Sequence, residues 1–149
     1  MKLAIASDHG GFHLKNAILK FLSSRKIKYV DLGVVDETSV DYPDYAAQVA
    51  DKVAKGEVEG GILICGTGIG MAITANKFKG VRAAVATDPY TARMSKEHNN
   101  ANILALGGRV LDESVATEMV QVWLDSKFEA GRHERRLEKI SEIEKKNFK

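Results

Sequence analysis

The chain predicts an α/β fold: a parallel sheet covered by helices on both faces, with a charged helical arm at its C-terminal end. Three observations carry this. Short apolar runs alternate with helical periods from end to end, making five strand–helix units. The run Gly61-Ile62-Leu63-Ile64-Cys65 is apolar on both alternating faces, as in a strand buried on both sides. Glycine-rich or acidic turns follow the runs, which suits loops gathered on one rim.

The first strand is Leu3-Ala4-Ile5-Ala6, ended by Asp8-His9-Gly10-Gly11. Leu14, Ala17, Ile18, Phe21 and Leu22 then recur at one-face helical spacing. Ile27 to Leu32 reads as the second strand, and Pro43 opens a helix that turns Ala46, Val49, Ala50 and Val53 inward. The third strand leads through Gly66-Thr67-Gly68-Ile69-Gly70 into a helix reaching Ala75 to Phe78. Val81 to Ala86 is the fourth strand, followed by a helix from Pro89 to about His98. Asn102 to Leu106 is the fifth, and Val115, Met119, Val122 and Trp123 face the next helix inward. Gly131 breaks the chain before a last helix, about Arg132 to Lys146, whose Leu137, Ile140 and Ile143 make only a thin apolar stripe. Such a helix is expected to lie on something else.

Composition narrows the classes. The chain has 149 residues, 44% hydrophobic and 28% charged, the size and make-up of one globular domain. Residues 1–124 carry 14 charges of each sign, so the net +2 belongs to the tail and gives no general field for nucleic acid or an anionic membrane. The single cysteine, Cys65, suits a reducing compartment. An acidic residue at Asp8 interrupts any signal-peptide core, and no stretch approaches the ~20 apolar residues of a membrane span. A soluble cytoplasmic protein is expected.

Ligands of open parallel sheets bind beyond the carboxyl ends of the strands. There the sequence gathers Ser7-Asp8-His9-Gly10-Gly11, Cys65 to Gly70, Thr87-Asp88 and Gly107-Gly108-Arg109. The glycines allow a tight turn that aims N–H groups at an anion. The stretch is neither a P-loop nor a dinucleotide fingerprint, because Met71 stands where a lysine, glycine or alanine is needed. Cys65 is inert packing or, at a helix N-terminus that lowers a thiol's pKa from about 8.5 toward neutrality, a nucleophile or base. A cysteine at this strand end also excludes a phospho-accepting response regulator. His98 is a solvated helix cap or an acid–base group. His9 and His13 lie four apart with no third ligand, so no metal is expected. Arg132 and Arg136 are a solvated helix face or a fork onto one phosphate.

Taken together, Ser7-Asp8-His9-Gly10-Gly11-Phe12, Asp41-Tyr42-Pro43, Gly60 through Gly70, Glu97-His98-Asn99 and Gly131-Arg132-His133 resemble the type B ribose-5-phosphate isomerases. That family also holds galactose-6-phosphate and allose-6-phosphate isomerases. The resemblance runs from Lys2 to about Ile143. It implies a three-layer Rossmann-like domain over residues 1–149, strand order 2-1-3-4-5, with about 132–149 as the arm. It also implies a homodimer or dimer of dimers with a shared site, and metal-free interconversion of D-ribose 5-phosphate and D-ribulose 5-phosphate without a cofactor. By position Cys65 is the base, His98 the acid that opens the sugar ring, and Thr67 the residue that fixes the catalytic turn. Asp8, His9, Gly66, Thr67, Gly68, Ile69, Gly70, Asn99, Arg109, Arg132 and Arg136 fall on substrate-binding positions. Some members lack the cysteine and use a carboxylate; this chain keeps it.

These residue types suit the chemistry. Aldose–ketose exchange passes a proton between adjacent carbons through an enediolate, and needs one base and donors around the developing oxyanion. Ring opening suits an imidazole, and a phosphate dianion suits paired guanidinium groups. Two other readings compete. A six-carbon sugar phosphate could enter the same rim, although galactose-6-phosphate isomerase is built from two non-identical chains. A non-catalytic phospho-sugar binder would need neither Cys65 nor His98. A flavodoxin-like carrier is weaker, since no aromatic pair is placed to sandwich a flavin.

Overall fold

The computed structural model describes residues 1–148; Lys149, the last residue of the expected arm, lies outside them. In chain order the elements are β1 (Lys2–Ser7), α1 (Phe12–Ser24), β2 (Lys28–Asp31), α2 (Tyr42–Ala54), β3 (Gly60–Cys65), α3 (Ile69–Ala75), β4 (Ala83–Val85), α4 (Pro89–Glu97), β5 (Ile103–Gly107), α5 (Glu113–Asp125) and α6 (Arg132–Asn147). A 3-10 turn, His9–Gly11, joins β1 to α1. All strand pairs are parallel.

The apolar-on-both-faces reading of β3 holds because the sheet has two cores. On one face Leu3, Ile5, Ile62, Ile64, Leu104 and Leu106 pack under α1, α4 and α5, with Trp123 among them. On the other, Ala4, Ala6, Leu63, Cys65, Ile103 and Ala105 pack under α2 and α3. The second face is alanine-rich, which lets α2 lie close: a Cβ added at Gly61 would meet Val49 at 2.5 Å. At one edge, Lys15 of α1 is buried and its Nζ donates to both carboxylate oxygens of Asp31 at the end of β2, at 2.8 and 2.9 Å. The pairing compensates a charge that could not otherwise leave water.

The strand order corrects one expectation. It is β2-β1-β3-β5-β4, so the last two strands exchange places relative to 2-1-3-4-5. Burial explains the exchange. Every residue of β5 is buried, which suits a strand paired on both sides, whereas the three residues of β4 are half-buried or exposed and suit an edge. Right-handed crossovers then place the helices. The chain steps one way through α2 and α3 and the opposite way through α1 and α4, so α4 joins α1 and α5 on the first face.

The arm is α6. No residue of it is buried, and Ile140 and Ile143 are exposed. It runs past the β4 edge, where Glu144 accepts an N–H from Gly80 at 2.9 Å. Between α6 and the sheet lies an apolar groove of about 480 Å³, walled by Leu137, Ile140 and Ile143 on one side and Val81 to Ala84 on the other.

Candidate active site

Three strand ends meet at one rim. From β1, Asp8 N–H donates to Ile64 O at 3.1 Å, and its carboxylate accepts the Gly10 N–H at 2.9 Å, closing the 3-10 turn. From β5, Gly108 N–H donates to Cys65 O at 2.7 Å and Arg109 N–H to Gly66 O at 3.0 Å, which zips the β5–α5 loop to the β3–α3 loop. A Cβ at Gly108 would stand 2.5 Å from Gly10 O, so all three loops are in backbone contact. The Arg109 side chain lies across the rim, its Nη1 3.1 Å from where a Gly66 Cβ would sit and its Cζ 3.4 Å from where a Gly10 Cβ would sit.

Cys65 ends β3 with its side chain on the α2–α3 face, buried to 6% exposure. Its Sγ accepts the Gly68 N–H at 3.1 Å. That bond depends on Gly68 having φ +83°, in the left-handed region, with the Leu106 backbone 3.0 Å from where a Cβ would be. Thr67 Oγ1 accepts the Ile69 N–H at 3.2 Å and fixes the start of α3. The Tyr42 ring lies against Gly70, where a Cβ would come within 2.4 Å of it. This half-exposed ring was not among the expected site residues, although Asp41-Tyr42-Pro43 pointed at its segment.

His9 and His13 both engage the β2–α2 loop. His9 Nδ1 accepts the Val40 N–H at 3.2 Å, which makes Nε2 the protonated nitrogen of its neutral ring. His13 Nε2 pairs with Glu37.

The remaining expected residues lie elsewhere. Cys65 pairs with Gly107 at the end of β5, while His98 precedes the start of that strand at Ile103. The four steps of β5 span roughly 13 Å. His98 and Cys65 of one chain therefore sit at opposite ends of the sheet. His98 caps α4 and stacks on His133, with ring centroids 4.0 Å apart and planes 15° apart. Asn99 lines the groove under α6, and Arg132 and Arg136 occupy the first two turns of that helix. Glu129 completes this second cluster, its carboxylate 3.4 Å from His98 and 3.9 Å from His133. Burial, then the positive charges of His98 and Arg132, hold the His133 imidazole below its ordinary pKa. Sequence spacing could not assemble this cluster, because Gly131 interrupts the helical register between Glu129 and His133.

The geometry is thus a glycine-lined rim around one cysteine and one arginine, and a separate cluster of imidazoles, an amide and arginines. The Ribose/Galactose Isomerase family profile matches residues 3–140. The chain belongs to that family. Ribose-5-phosphate isomerase B of Escherichia coli is 48% identical over 145 residues, covering 97% of each chain. A solved ribose-5-phosphate isomerase B of Clostridium thermocellum superposes with a TM-score of 0.96 at 53% identity, covering 98% of this chain and 99% of that one. The enzyme of Mycoplasma genitalium, solved with bound ribulose 5-phosphate, superposes with a TM-score of 0.94 at 44% identity, covering 98% and 97%. These two solved relatives therefore share the fold over nearly the whole chain. No helix among the described residues is long and apolar enough to cross a membrane.

Proposed function

We propose that this family member interconverts D-ribose 5-phosphate and D-ribulose 5-phosphate without a metal, at a site that two copies of the chain build together. The observation that carries the reading is Cys65, which ends β3 beneath a glycine-rich loop with Arg109 across it. The likeness to a relative solved with ribulose 5-phosphate supports the choice of a five-carbon substrate.

The steps follow from the residues. His98 gives a proton to the ring oxygen, the anomeric hydroxyl releases its own to solvent, and the sugar opens. Cys65 takes the proton from the carbon next to the carbonyl, leaving an enediolate. Backbone N–H groups of the Gly66–Gly70 loop other than those of Gly68 and Ile69, which bond Cys65 Sγ and Thr67 Oγ1, donate to the developing oxyanion, and Thr67 keeps their turn in shape. A proton then passes from the second hydroxyl oxygen to the first and the thiol returns its own proton to the neighbouring carbon, so the carbonyl moves by one carbon without an outside oxidant or reductant. Asp8, His9 and Asn99 orient the sugar hydroxyls. Arg109, Arg132 and Arg136 hold the phosphate, which keeps a small substrate in register.

Because His98 and Cys65 lie at opposite ends of one sheet, a chain acting alone cannot use both on one substrate. A second copy can supply His98, Asn99, Arg132 and Arg136 to the first copy's rim. The unburied α6 and its apolar groove give that partner a surface to cover.

The test is turnover of ribose 5-phosphate with EDTA present, beside allose 6-phosphate and galactose 6-phosphate. Turnover of the pentose phosphate well above both hexose phosphates is expected. Preference for a six-carbon substrate would move the protein to the other branch of its family, and binding without solvent-proton exchange at the second carbon would make it a binder.

A further inference from the structure

At the end of the sheet away from the Cys65 rim, a pocket of about 240 Å³ opens where β1, β3 and β5 begin. Leu3, Gly60, Asn102 and Trp123 form part of its wall, and two cations line it, Arg82 and Lys96. None of His98, Asn99, Glu129, Arg132, His133 and Arg136 belongs to that wall. Lys96 and His98 stand two positions apart where α4 ends, so their side chains leave the helix on different sides. The pocket is therefore separate from both halves of the substrate site proposed above.

Both cations are half-buried, and among the described residues neither has a carboxylate within ion-pair distance. Arg82 is held at its root, where its backbone N–H donates to Asn102 Oδ1 at 2.7 Å and its Nε donates to Asn100 O at 2.9 Å. That fixes the guanidinium and leaves its two Nη groups without an acceptor among the described residues. Glu144 acts on it only from beyond ion-pair distance. Lys96 Nζ lies 4.2 Å from the centroid of the buried Trp123 ring, whose face attracts the ammonium without neutralising it. Glu59, the one carboxylate in the wall, pairs with the Met1 amino group at 3.5 Å. Burial lowers the pKa of both Lys96 and Arg82, the mark of charges drawn out of water without compensation.

We propose that Arg82 and Lys96 form an anion site of their own, taking the phosphate dianion of inorganic phosphate or of a small phosphate monoester. The guanidinium offers a planar pair of Nη donors and the ammonium a point charge, so two positive charges meet two negative ones. A carboxylate monoanion would leave one cation unmatched. The rest of the pocket, walled by Leu3, Gly60 and the Trp123 indole, has room for the short carbon skeleton of an ester. The site depends neither on the isomerase reading nor on a second copy of the chain.

The experiment follows inorganic phosphate binding to the full-length protein by equilibrium dialysis and by the emission of Trp123, the chain's only tryptophan, at fixed ionic strength. Two phosphates per chain are expected, the one at Lys96 changing the emission saturably. Lys96→Met keeps an unbranched side chain over the indole, and should bind that phosphate at least about tenfold more weakly and lose the emission change. Lys96→Gln should do the same, and circular dichroism identical to the parent's separates loss of the ligand from loss of fold. The double variant Arg132→Ala, Arg136→Ala should keep the emission change and lose the other phosphate. Binding and emission unchanged in both Lys96 variants overturn the site, as does an emission change lost only in the arginine variant. A single phosphate per chain, lost only in the Lys96 variants, upholds the site and counts against the phosphate clamp on α6, so the two proposals fail separately. Acetate should bind at least tenfold more weakly, and acetate binding equally well overturns the dianion assignment. Glycerol 3-phosphate that displaces phosphate at lower concentration than phosphate itself upholds the site with an ester as its ligand; displacement only at higher concentration upholds it with inorganic phosphate.

Discussion

At Cys65 the sulfur is positioned almost wholly by glycine geometry. Among the described residues its one hydrogen-bond donor is Gly68 N–H, and that amide faces it only because Gly68 occupies a backbone region costly to other residues. Gly68→Ala is expected to destabilise the fold by about 1–2 kcal/mol from backbone conformation, with more added by crowding against Leu106. Denaturant unfolding measures the loss, and a midpoint equal to the parent's would show that the loop tolerates a side chain. Cys65→Ala should leave the fold intact and lower isomerisation by about 10²–10⁴-fold, the usual contribution of a positioned base. Activity within threefold of the parent would remove the thiol from that role. The glycines were readable one by one, and so was the cysteine's place at a strand end. Tyr42 over Gly70 was not, because that contact joins residues 28 positions apart through packing alone.

Element by element, periodicity located nearly everything and pairing partners nothing. The order 2-1-3-4-5 implied by the resemblance put the run from Val81 to Ala86 inside and the run from Asn102 to Leu106 at the edge. Only β5 is buried throughout, so β5 took the inner place and turned α4 to the opposite face. Helix α6 shows the same limit. Its thin stripe announced an arm, yet the stripe does not say what lies under it. Arg132 and Arg136 stand four apart on α6, so Arg132→Ala or Arg136→Ala should each cost one charge-assisted contact to the phosphate. Such a contact is worth roughly 1.5–3 kcal/mol, which converts to a loss of about 10–150-fold in kcat/KM. Competition by inorganic phosphate checks it: unchanged inhibition in both variants would place the phosphate elsewhere. Ending the chain after Ala130 should leave the sheet's circular dichroism, abolish turnover and shift sedimentation to the monomer. A fully active truncated chain would separate α6 from the site.

For the molecule as a whole, the placement of Cys65 and His98, the proposed base and acid, at two ends of the sheet controls the reading. It predicts complementation. Cys65→Ala and His98→Asn homodimers, each inactive, should regain turnover after dissociation and reassociation, because one site of the hybrid holds both intact residues. Confirmed subunit exchange without recovered activity would place base and acid on the same chain. His98→Asn alone should slow initial turnover of the cyclic aldose more than that of ribulose 5-phosphate, which has no five-membered ring to open. Equal losses, with chemistry rate-limiting in both directions, would argue against a ring-opening acid.

The five strand–helix units, the buried third strand, the glycine loop and the charged arm were all legible from residue order. Each is encoded locally, in a spacing of two or of about 3.6 residues or in a turn that only glycine tolerates. The exchange of β4 and β5, the separation of His98 from Cys65, and the meeting of His98, Glu129 and His133 depended on which surfaces bury one another. Burial is settled by competition among all the elements at once, and no local spacing records its outcome.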